Sequence, residues 1–312
     1  MSVISRQYRG EEDYQRIREL VVRCYALSQR MHCWGLERLD WWRYNVQANG
    51  ETDGEGAWES QVRLWETEAD ELVGVVHPEG GFGPVENDRD VFLEIHPHCR
   101  HLEDEMLAWA EADHVARRPS DGREWRLNTT VYDYDQQRAD LLTQRGYRCL
   151  GLAGYKRRCA LDRPIPAGEL PPGYKVRPVA EDEMEAWAAV VNAAFDSSLN
   201  TAERCRSWLQ APTNRRDLNL AAVAPDGTFA SFAIVWLDEA NAIGMFEPVG
   251  THPDYRRRGL AKAVLCDGLR RLRALGASMA YVGCGTGIAV TRLYESAGFT
   301  DYDEEHHWRK EF

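Results

Sequence analysis

Two α/β domains of one plan, each a sheet of mostly antiparallel strands flanked by helices, are what this sequence predicts. Three observations carry that expectation. A length of 312 residues suits two domains of ordinary size. Near the middle, Leu161–Gly173 (LDRPIPAGELPPG) breaks the apolar pattern with proline and glycine and reads as a linker. On either side of it, helical and strand patterns follow in the same order with the same landmarks, as in an internal duplication. The limits are therefore drawn at 1–162 and 174–312, with 163–173 between them.

Taken in order, each half opens on a short apolar strand followed by a helix. Val3-Ile4 precede Glu11–Tyr25, where Tyr14, Ile17, Val21 and Tyr25 recur at helical spacing. Val176 precedes Glu181–Ala194, where Met184, Trp187, Val190 and Val191 do the same. Hairpins come next. Val62–Glu66 and Leu72–Val76 flank Glu68-Ala69-Asp70, and Leu218–Ala224 and Phe229–Leu237 flank Pro225-Asp226-Gly227. A third strand ends at His96-Pro97 or at His252-Pro253 and leads into a helix, Leu102–Val115 or Leu260–Ala274. A further strand, Trp125–Tyr132 or Met279–Cys284, precedes a helix that stops at Gly146-Tyr147 or Gly298-Phe299.

Composition narrows the function. With 44% hydrophobic and 28% charged residues the chain is globular rather than disordered. A formal net charge of −12 argues against a nucleic-acid binder, and it steers cationic substrates inward. No apolar core precedes Glu11-Glu12-Asp13, and no run reaches the length of a membrane span, so a cytoplasmic protein without membrane contact is expected. The eight cysteines are scattered and form no Cys-x-x-Cys pair, which fits a reducing compartment and neither zinc nor disulfides. His96, His98 and His101 are interrupted by Cys99 and Arg100 and read as a solvated loop, so no metal is expected.

Thr251–Leu265 (THPDYRRRGLAKAVL) is the most informative segment. A strand ends at Pro253, and Arg256-Arg257-Arg258-Gly259 open a helix whose inward stripe is Ala261, Leu265, Gly268, Leu272 and Leu275. Unpaired N–H groups and the helix dipole make such an N-terminus a seat for an anion such as a pyrophosphate. Gly259 would let the anion reach the backbone with no Cβ in the way. On spacing alone, a solvated basic cap explains the segment equally well.

Arg256-x-x-Gly259-x-Ala261 resembles the Arg/Gln-x-x-Gly-x-Gly/Ala signature of the GNAT superfamily of N-acetyltransferases. Tyr294-Glu-Ser-Ala-Gly298-Phe299, 38 residues after Arg256, resembles that family's second landmark, Leu-Tyr-x-x-x-Gly-Phe. The match covers about residues 174–312, and the duplicated layout resembles the tandem-GNAT group that includes mycothiol synthase. The resemblance implies a mixed, twisted sheet that splays beside the loop, with acetyl-CoA in the gap. Val249, Gly250 and Thr251 would pair with the pantetheine arm like an added strand. The amides of Arg257, Arg258, Gly259, Leu260, Ala261 and Lys262, with Arg256 leading the signature, would cradle the pyrophosphate. Gly287 stands where the family often has asparagine, which puts one cofactor hydrogen bond in question.

Acetyl transfer to an amine needs a deprotonated amine, a polarised carbonyl and a proton for the departing thiolate. Tyr294 would supply the proton; its other reading is a helix tyrosine packed on the sheet. Glu247, on the strand two residues before Val249, is the first choice of base, with ion pairing as its alternative role and His252 as second choice. Cys284 reads as a structural thiol.

The first half lacks both landmarks. Its loop, His96–Glu105, is two residues shorter and has no glycine, and Glu103, Asp104 and Glu105 crowd the helix start. Leu142 stands opposite Tyr294. A degenerate domain without CoA is expected there. The resulting expectation is transfer of acetyl from acetyl-CoA to a primary amine of a small molecule, by a monomer or homodimer. A longer acyl group, or a CoA-binding sensor without turnover, are the alternatives. The acceptor stays open among an antibiotic, a polyamine, a thiol-sugar amine and a peptide terminus. Phe195–Leu209 and Trp34–Tyr44 are the candidate pocket walls.

Overall fold

A computed structural model describes residues 2–48, 58–79, 88–117 and 124–312. They form two compact units, one built from the chain up to Ala153 plus Glu304–Phe312, the other from Gly154–Asp303.

In the first unit β1 (Val3–Gln7), α1 (Glu11–Ser28) and α2 (Leu36–Ala48) precede the hairpin of β2 (Arg63–Thr67) and β3 (Leu72–Pro78). Next come β4 (Asp88–Ile95), α3 (Glu103–Ala116), β5 (Arg126–Tyr132), α4 (Gln136–Gln144) and the start of β6 (Arg148–Ala160). The hairpins pair antiparallel, whereas β4 and β5 pair parallel through Asp88–Asp90 alone. One core cluster packs Tyr14, Ile17 and Leu20 of α1 with Leu64 and Val75; another packs Met106 and Leu107 of α3 with Leu93 and Leu127. Trp42, within the stretch expected to wall a pocket, is 1% exposed and stacks on Phe92 in the first of these clusters.

The second unit contains β7 (Lys175–Pro178), α5 (Met184–Phe195), α6 (Ala202–Trp208), β8 (Asn214–Val223), β9 (Phe229–Asp238), β10 (Ile243–Thr251), α7 (Leu260–Ala274), β11 (Met279–Cys284) and α8 (Ile288–Ala297). Its ladder runs β6-β11-β10-β9-β8-β7, antiparallel except for β10 with β11. The chain ends on β12 (Asp301–Glu311), whose residues Glu305–Glu311 pair with β5 in the first unit. The sheets are thus mixed and mostly antiparallel.

Helix α7 lies on β8, β9 and β10 because its buried side is Leu260, Val264, Leu265, Gly268, Leu269 and Leu272. Ala261 is half-exposed and Leu275 is 38% exposed, so the inward stripe is turned from the one expected. Gly268 is dictated by close approach: a Cβ there would come within 2.6 Å of the Phe246 ring.

The division differs from limits drawn at 162 and 174. Strand pairing decides it: Tyr155–Ala160 of β6 pair with Cys284–Met279 of β11, and so belong to the second unit. The proline-rich stretch is also seated there. Arg270 donates to the Pro166 carbonyl at 2.8 Å and to that of Ala167, and Ile165 and Leu170 pack on the core.

Candidate active site

The gap between β10 and β11 organises the second unit. The strands pair parallel from Ile243/Met279 to Phe246/Val282 and no further. Beyond Phe246 a bulge at Glu247-Pro248 inserts one residue, and Val249, Gly250 and Thr251 continue only against β9. Gly250 is turned to β9, because its carbonyl accepts from Ser231 Oγ at 2.8 Å. His252 N–H follows suit, donating to the Ala230 carbonyl at 3.0 Å. In an antiparallel ladder successive residues face opposite sides. The N–H and C=O groups of Val249 and the N–H of Thr251 therefore face the gap, a sheet edge that an extended ligand can pair with, while the Thr251 carbonyl on that side accepts from Arg256.

At the end of that edge the chain makes one 3₁₀ turn, Pro253–Tyr255, before Arg256–Gly259 swing into α7. His252 caps the turn, its Nδ1 accepting from Asp254 N–H at 3.3 Å. That bond gives His252 a structural duty at the turn. Arg257 and Gly259 both have left-handed backbones, with φ of 63° and 81°. Gly259 caps α7 with no side-chain acceptor for the first-turn amides. Among the described residues, the six N–H groups of Arg257, Arg258, Gly259, Leu260, Ala261 and Lys262 donate to no protein acceptor. Unpaired amides at a helix start, with the positive dipole end behind them, form an anion seat.

The three arginines differ. Arg256 does not reach outward; its guanidinium donates to the Thr251 carbonyl at 3.3 Å and the Ala194 carbonyl at 3.2 Å, tying the turn to β10 and α5. Arg258 donates to Tyr174 Oη at 3.1 Å and the Asp254 carbonyl at 3.0 Å. Arg257 is exposed and makes no hydrogen bond or ion pair with any described residue. Leu260 is 1% exposed, so its backbone alone is available to a ligand. Lys262 is half-exposed on the first turn of α7.

Helix α8 brings up Tyr294. The ring is 5% exposed and packs edge-on to Phe299, with centroids 6.0 Å apart. Its hydroxyl has no hydrogen-bond partner among the described residues. Burial pushes the phenol well above its ordinary value, and the neighbouring Cys284 and Glu247 push the same way. Cys284 packs on the core cluster that holds Tyr294. Glu247 is half-buried within the bulge, and the bulge breaks the alternation on which its orientation was first argued. Burial also raises the Cys284 thiol, so it stays protonated at neutral pH. Gly287 caps α8 with backbone only, its carbonyl accepting from Thr291 N–H at 3.0 Å.

Residues 175–300 match the acetyltransferase (GNAT) domain. A mycothiol acetyltransferase of Pseudarthrobacter chlorophenolicus is 30% identical over 239 residues, covering 72% of this chain and 72% of that protein. The chain belongs to the GNAT acetyltransferases. A mycothiol acetyltransferase of Thermobispora bispora is 34% identical over 176 residues, or 50% of this chain and 56% of that one. Two solved structures share the fold. A tandem GNAT protein from the clavulanic acid biosynthesis pathway has a TM-score of 0.68 at 16% identity, covering 99% of this chain and 98% of its own. A GCN5-related N-acetyltransferase from Sphaerobacter thermophilus scores 0.64 at 21% identity, covering 99% and 95%. The protein is therefore an acyltransferase of tandem-GNAT architecture.

Both GNAT-like units keep the same backbone devices up to the turn that precedes α3 and α7. His96 N–H donates to the Val73 carbonyl at 2.8 Å, and His96 Nδ1 caps its turn through His98 N–H at 3.3 Å, as His252 does. After Gly146 (φ 86°), Tyr147 N–H returns to the Leu142 carbonyl at 2.9 Å; after Gly298 (φ 109°), Phe299 N–H returns to that of Tyr294 at 3.0 Å. Leu142 therefore holds the place of Tyr294, and it is fully buried in apolar core.

The units part at the turn. In the first, the 3₁₀ segment Pro97–Leu102 runs straight into α3, and Glu103 N–H is spent on the Arg100 carbonyl. Of the three acids expected to crowd the helix start, Glu103 is fully buried. It pairs with Arg100 and with Arg138 Nε at 3.1 Å, while Arg100 reaches Asp135 at 2.7 Å. Burial opposes ionisation of Glu103, but Arg138 and Arg100 outweigh it and hold the carboxyl below its usual range. The splay beside β4 is filled by the unit's own chain. The carbonyls of His32 and Cys33 accept from Arg138 at 3.0 Å and Tyr132 Oη at 3.3 Å, and Trp34 N–H donates to Glu94 at 3.0 Å. Counted back from the two histidines, Glu94 stands where the second unit has Gly250.

Among the described residues, no helix is long and apolar enough to cross a membrane, and no cluster of three or more His, Cys, Asp or Glu is placed to hold a metal ion.

Proposed function

We propose that the second unit transfers the acetyl group of acetyl-CoA to the primary amine of a small molecule, by direct attack while both are bound. The observation that carries this reading is the run of six unpartnered amides, Arg257–Lys262, at the end of an open strand edge. Those amides suit the pyrophosphate, with Arg257 as the outward cation, and the gap-facing groups of Val249 and Thr251 suit the amides of the pantetheine arm. Gly259 keeps the approach clear, since even a Cβ there would meet only the Glu169 carbonyl, at 3.6 Å. Gly250 faces β9 and Leu260 is inward, so both act through backbone placement.

Bound there, acetyl-CoA supplies an activated acyl group with a thiolate leaving group. Tyr294 holds a proton on Oη, and burial keeps it there throughout the neutral range. Glu247, beside Tyr294 on the bulge, accepts the proton of the attacking amine. An unpartnered donor in the cleft favours turnover over a sensor, which needs none.

The first unit is proposed to bind no CoA, because its turn is closed by an ion-pair network and its splay by residues 32–34. The relatives named above are mycothiol acetyltransferases, so the amines that those enzymes take lead the acceptor panel. An antibiotic amine, polyamines and peptide amino termini complete it. The test is thiol release from acetyl-CoA with each amine, with the acetylated product identified by mass. Amine-dependent release supports transfer to an amine, and a panel with product on hydroxyls or thiols alone contradicts it.

A further inference from the structure

The strand that precedes the proline-rich stretch, β6, brings two buried cations into the second unit, Lys156 and Arg157, and the second of them touches α8. Arg157 lies on β6 opposite Val282 of β11, and it is 2% exposed. One terminal nitrogen of its guanidinium, Nη1, donates to the Phe299 carbonyl at 3.3 Å and to Glu295 Oε1 at 3.4 Å. The rings of Tyr155 and Tyr302 lie over the guanidinium carbon, at 5.2 and 5.1 Å. Its Nε is buried and faces no acceptor among the described residues. Burying a guanidinium on two long hydrogen bonds is costly, and leucine or methionine would fill the same space without that cost. The cation therefore calls for an explanation.

Its contacts supply one. Glu295 follows Tyr294 on the last turn of α8, and Phe299 follows the left-handed Gly298 that ends the helix. The two anchors of Arg157 thus bracket the helix end that carries the tyrosine. Phe299 also donates its N–H to the Tyr294 carbonyl and packs on the Tyr294 ring. Arg157 further lies beside Cys284, the thiol next to Tyr294. Burial raises that thiol, and Arg157 pulls it partly back.

We infer that Arg157 is a positioning residue for Tyr294: its Nη1, shared between Glu295 and Phe299, fixes the end of α8 against β6 and β11 and so aims the phenol into the gap. The inference rests on the reading of Tyr294 as proton donor. It also means that a residue lying before the proline-rich stretch serves the chemistry of the unit that follows it.

The test uses the full chain in two backgrounds, wild type and Tyr294→Phe, with Arg157→Gln and Arg157→Lys in each. Lysine keeps the buried charge, and with it the fold if glutamine does not, but its ammonium lacks the planar guanidinium that lies against the two tyrosine rings and places Nη1 between both anchors. In the wild-type background, Arg157→Gln should lower kcat at least tenfold and Arg157→Lys about threefold to tenfold, with KM for acetyl-CoA within about twofold. In the Tyr294→Phe background neither should lower kcat further, because residues acting through one group are not additive. Without any cofactor, exchange of the Gly298 and Phe299 amides should speed at least tenfold in Arg157→Gln, while the amides of α7 stay unchanged. Equal losses in the two backgrounds would overturn the inference. So would wild-type kcat and exchange in folded Arg157→Lys. Loss in Tyr294→Phe together with an unaffected Arg157 series would leave the donor reading standing and remove only this inference. An inert Tyr294→Phe would instead remove the donor reading, and with it the aiming role.

Discussion

Replacing Tyr294 by phenylalanine separates the chemistry of this residue from its packing, and the surroundings set the size of the effect. The hydroxyl has no protein partner among the described residues, so its removal orphans no donor or acceptor. The ring contact with Phe299, at a centroid distance of 6.0 Å, survives the change. Stability should therefore move by no more than about 0.5 kcal/mol, as for a substitution without a named destabilising mechanism. Loss of a positioned general acid costs roughly 10²-fold in turnover, which is about 2.7 kcal/mol at the barrier. Steady-state assays of thiol release should show that fall in kcat, with KM for acetyl-CoA within about twofold. The pH profile adds a second check. Burial raises the phenol above its ordinary value of about 10, so the protonated form persists through the alkaline range. Wild-type kcat should hold from neutrality to about pH 9.5 without a falling limb from this group. Wild-type turnover in Tyr294→Phe, or an equal rise in KM and fall in affinity with kcat intact, would refute the assignment.

The remaining predictions concern the base and the silent unit. Glu247→Gln should lose most activity at neutral pH and recover part of it as the amine deprotonates at higher pH; a uniform loss at every pH in a rate profile would contradict a base role. Glu103→Ala should leave Arg100 and Arg138 facing one another without their shared carboxylate, at a cost of about 3–5 kcal/mol in denaturant titration. Against the opposing effect of burial, Arg138 and Arg100 hold Glu103 below the usual carboxylate range, and His32 with Arg138 and Arg100 does the same for Asp135, so their contribution is fully present above that range and is lost as pH falls through it. Acid melts of the wild type should show this loss below about pH 4, and Glu103→Ala should lack the part that Glu103 contributes while keeping that of Asp135.

Local pattern made most of the elements legible. The bounds of α7 and β11 agree with Leu260–Ala274 and Met279–Cys284, because amphipathic periodicity and glycine stops are local signals. The turn Pro225-Asp226-Gly227 closes its hairpin as expected, with Gly227 N–H on the Ala224 carbonyl at 3.0 Å. Long-range pairing was not legible. Nothing local says that Tyr155–Ala160 pair with β11 across a proline-rich stretch, or that Glu305–Glu311 return to β5. Arg157 was missed for the same reason, since an arginine in a basic run such as Lys156-Arg157-Arg158 reads as solvated until the strand is placed. At the site, the turn and Tyr294 could be found from two motifs. The side-chain duties of Arg256 and Arg258 could not, because their acceptors at Ala194 and Tyr174 lie far away in sequence.

The central claim is that one turn, at the start of α7, holds the acetyl donor for the whole chain. Titration calorimetry of acetyl-CoA into the full-length protein tests it most directly, with Gly259→Glu as the paired variant. The variant adds a carboxylate where the six amides converge. Its left-handed backbone, φ 81°, costs a non-glycine residue roughly 1–2 kcal/mol, and its Cβ meets only the Glu169 carbonyl, at 3.6 Å. The fold should therefore survive, as circular dichroism can verify. The account predicts a ratio near one acetyl-CoA per chain in the wild type and an affinity at least tenfold weaker in the variant, on the order of 1.4 kcal/mol or more. A ratio near two, or unchanged affinity in a folded Gly259→Glu chain, would contradict it.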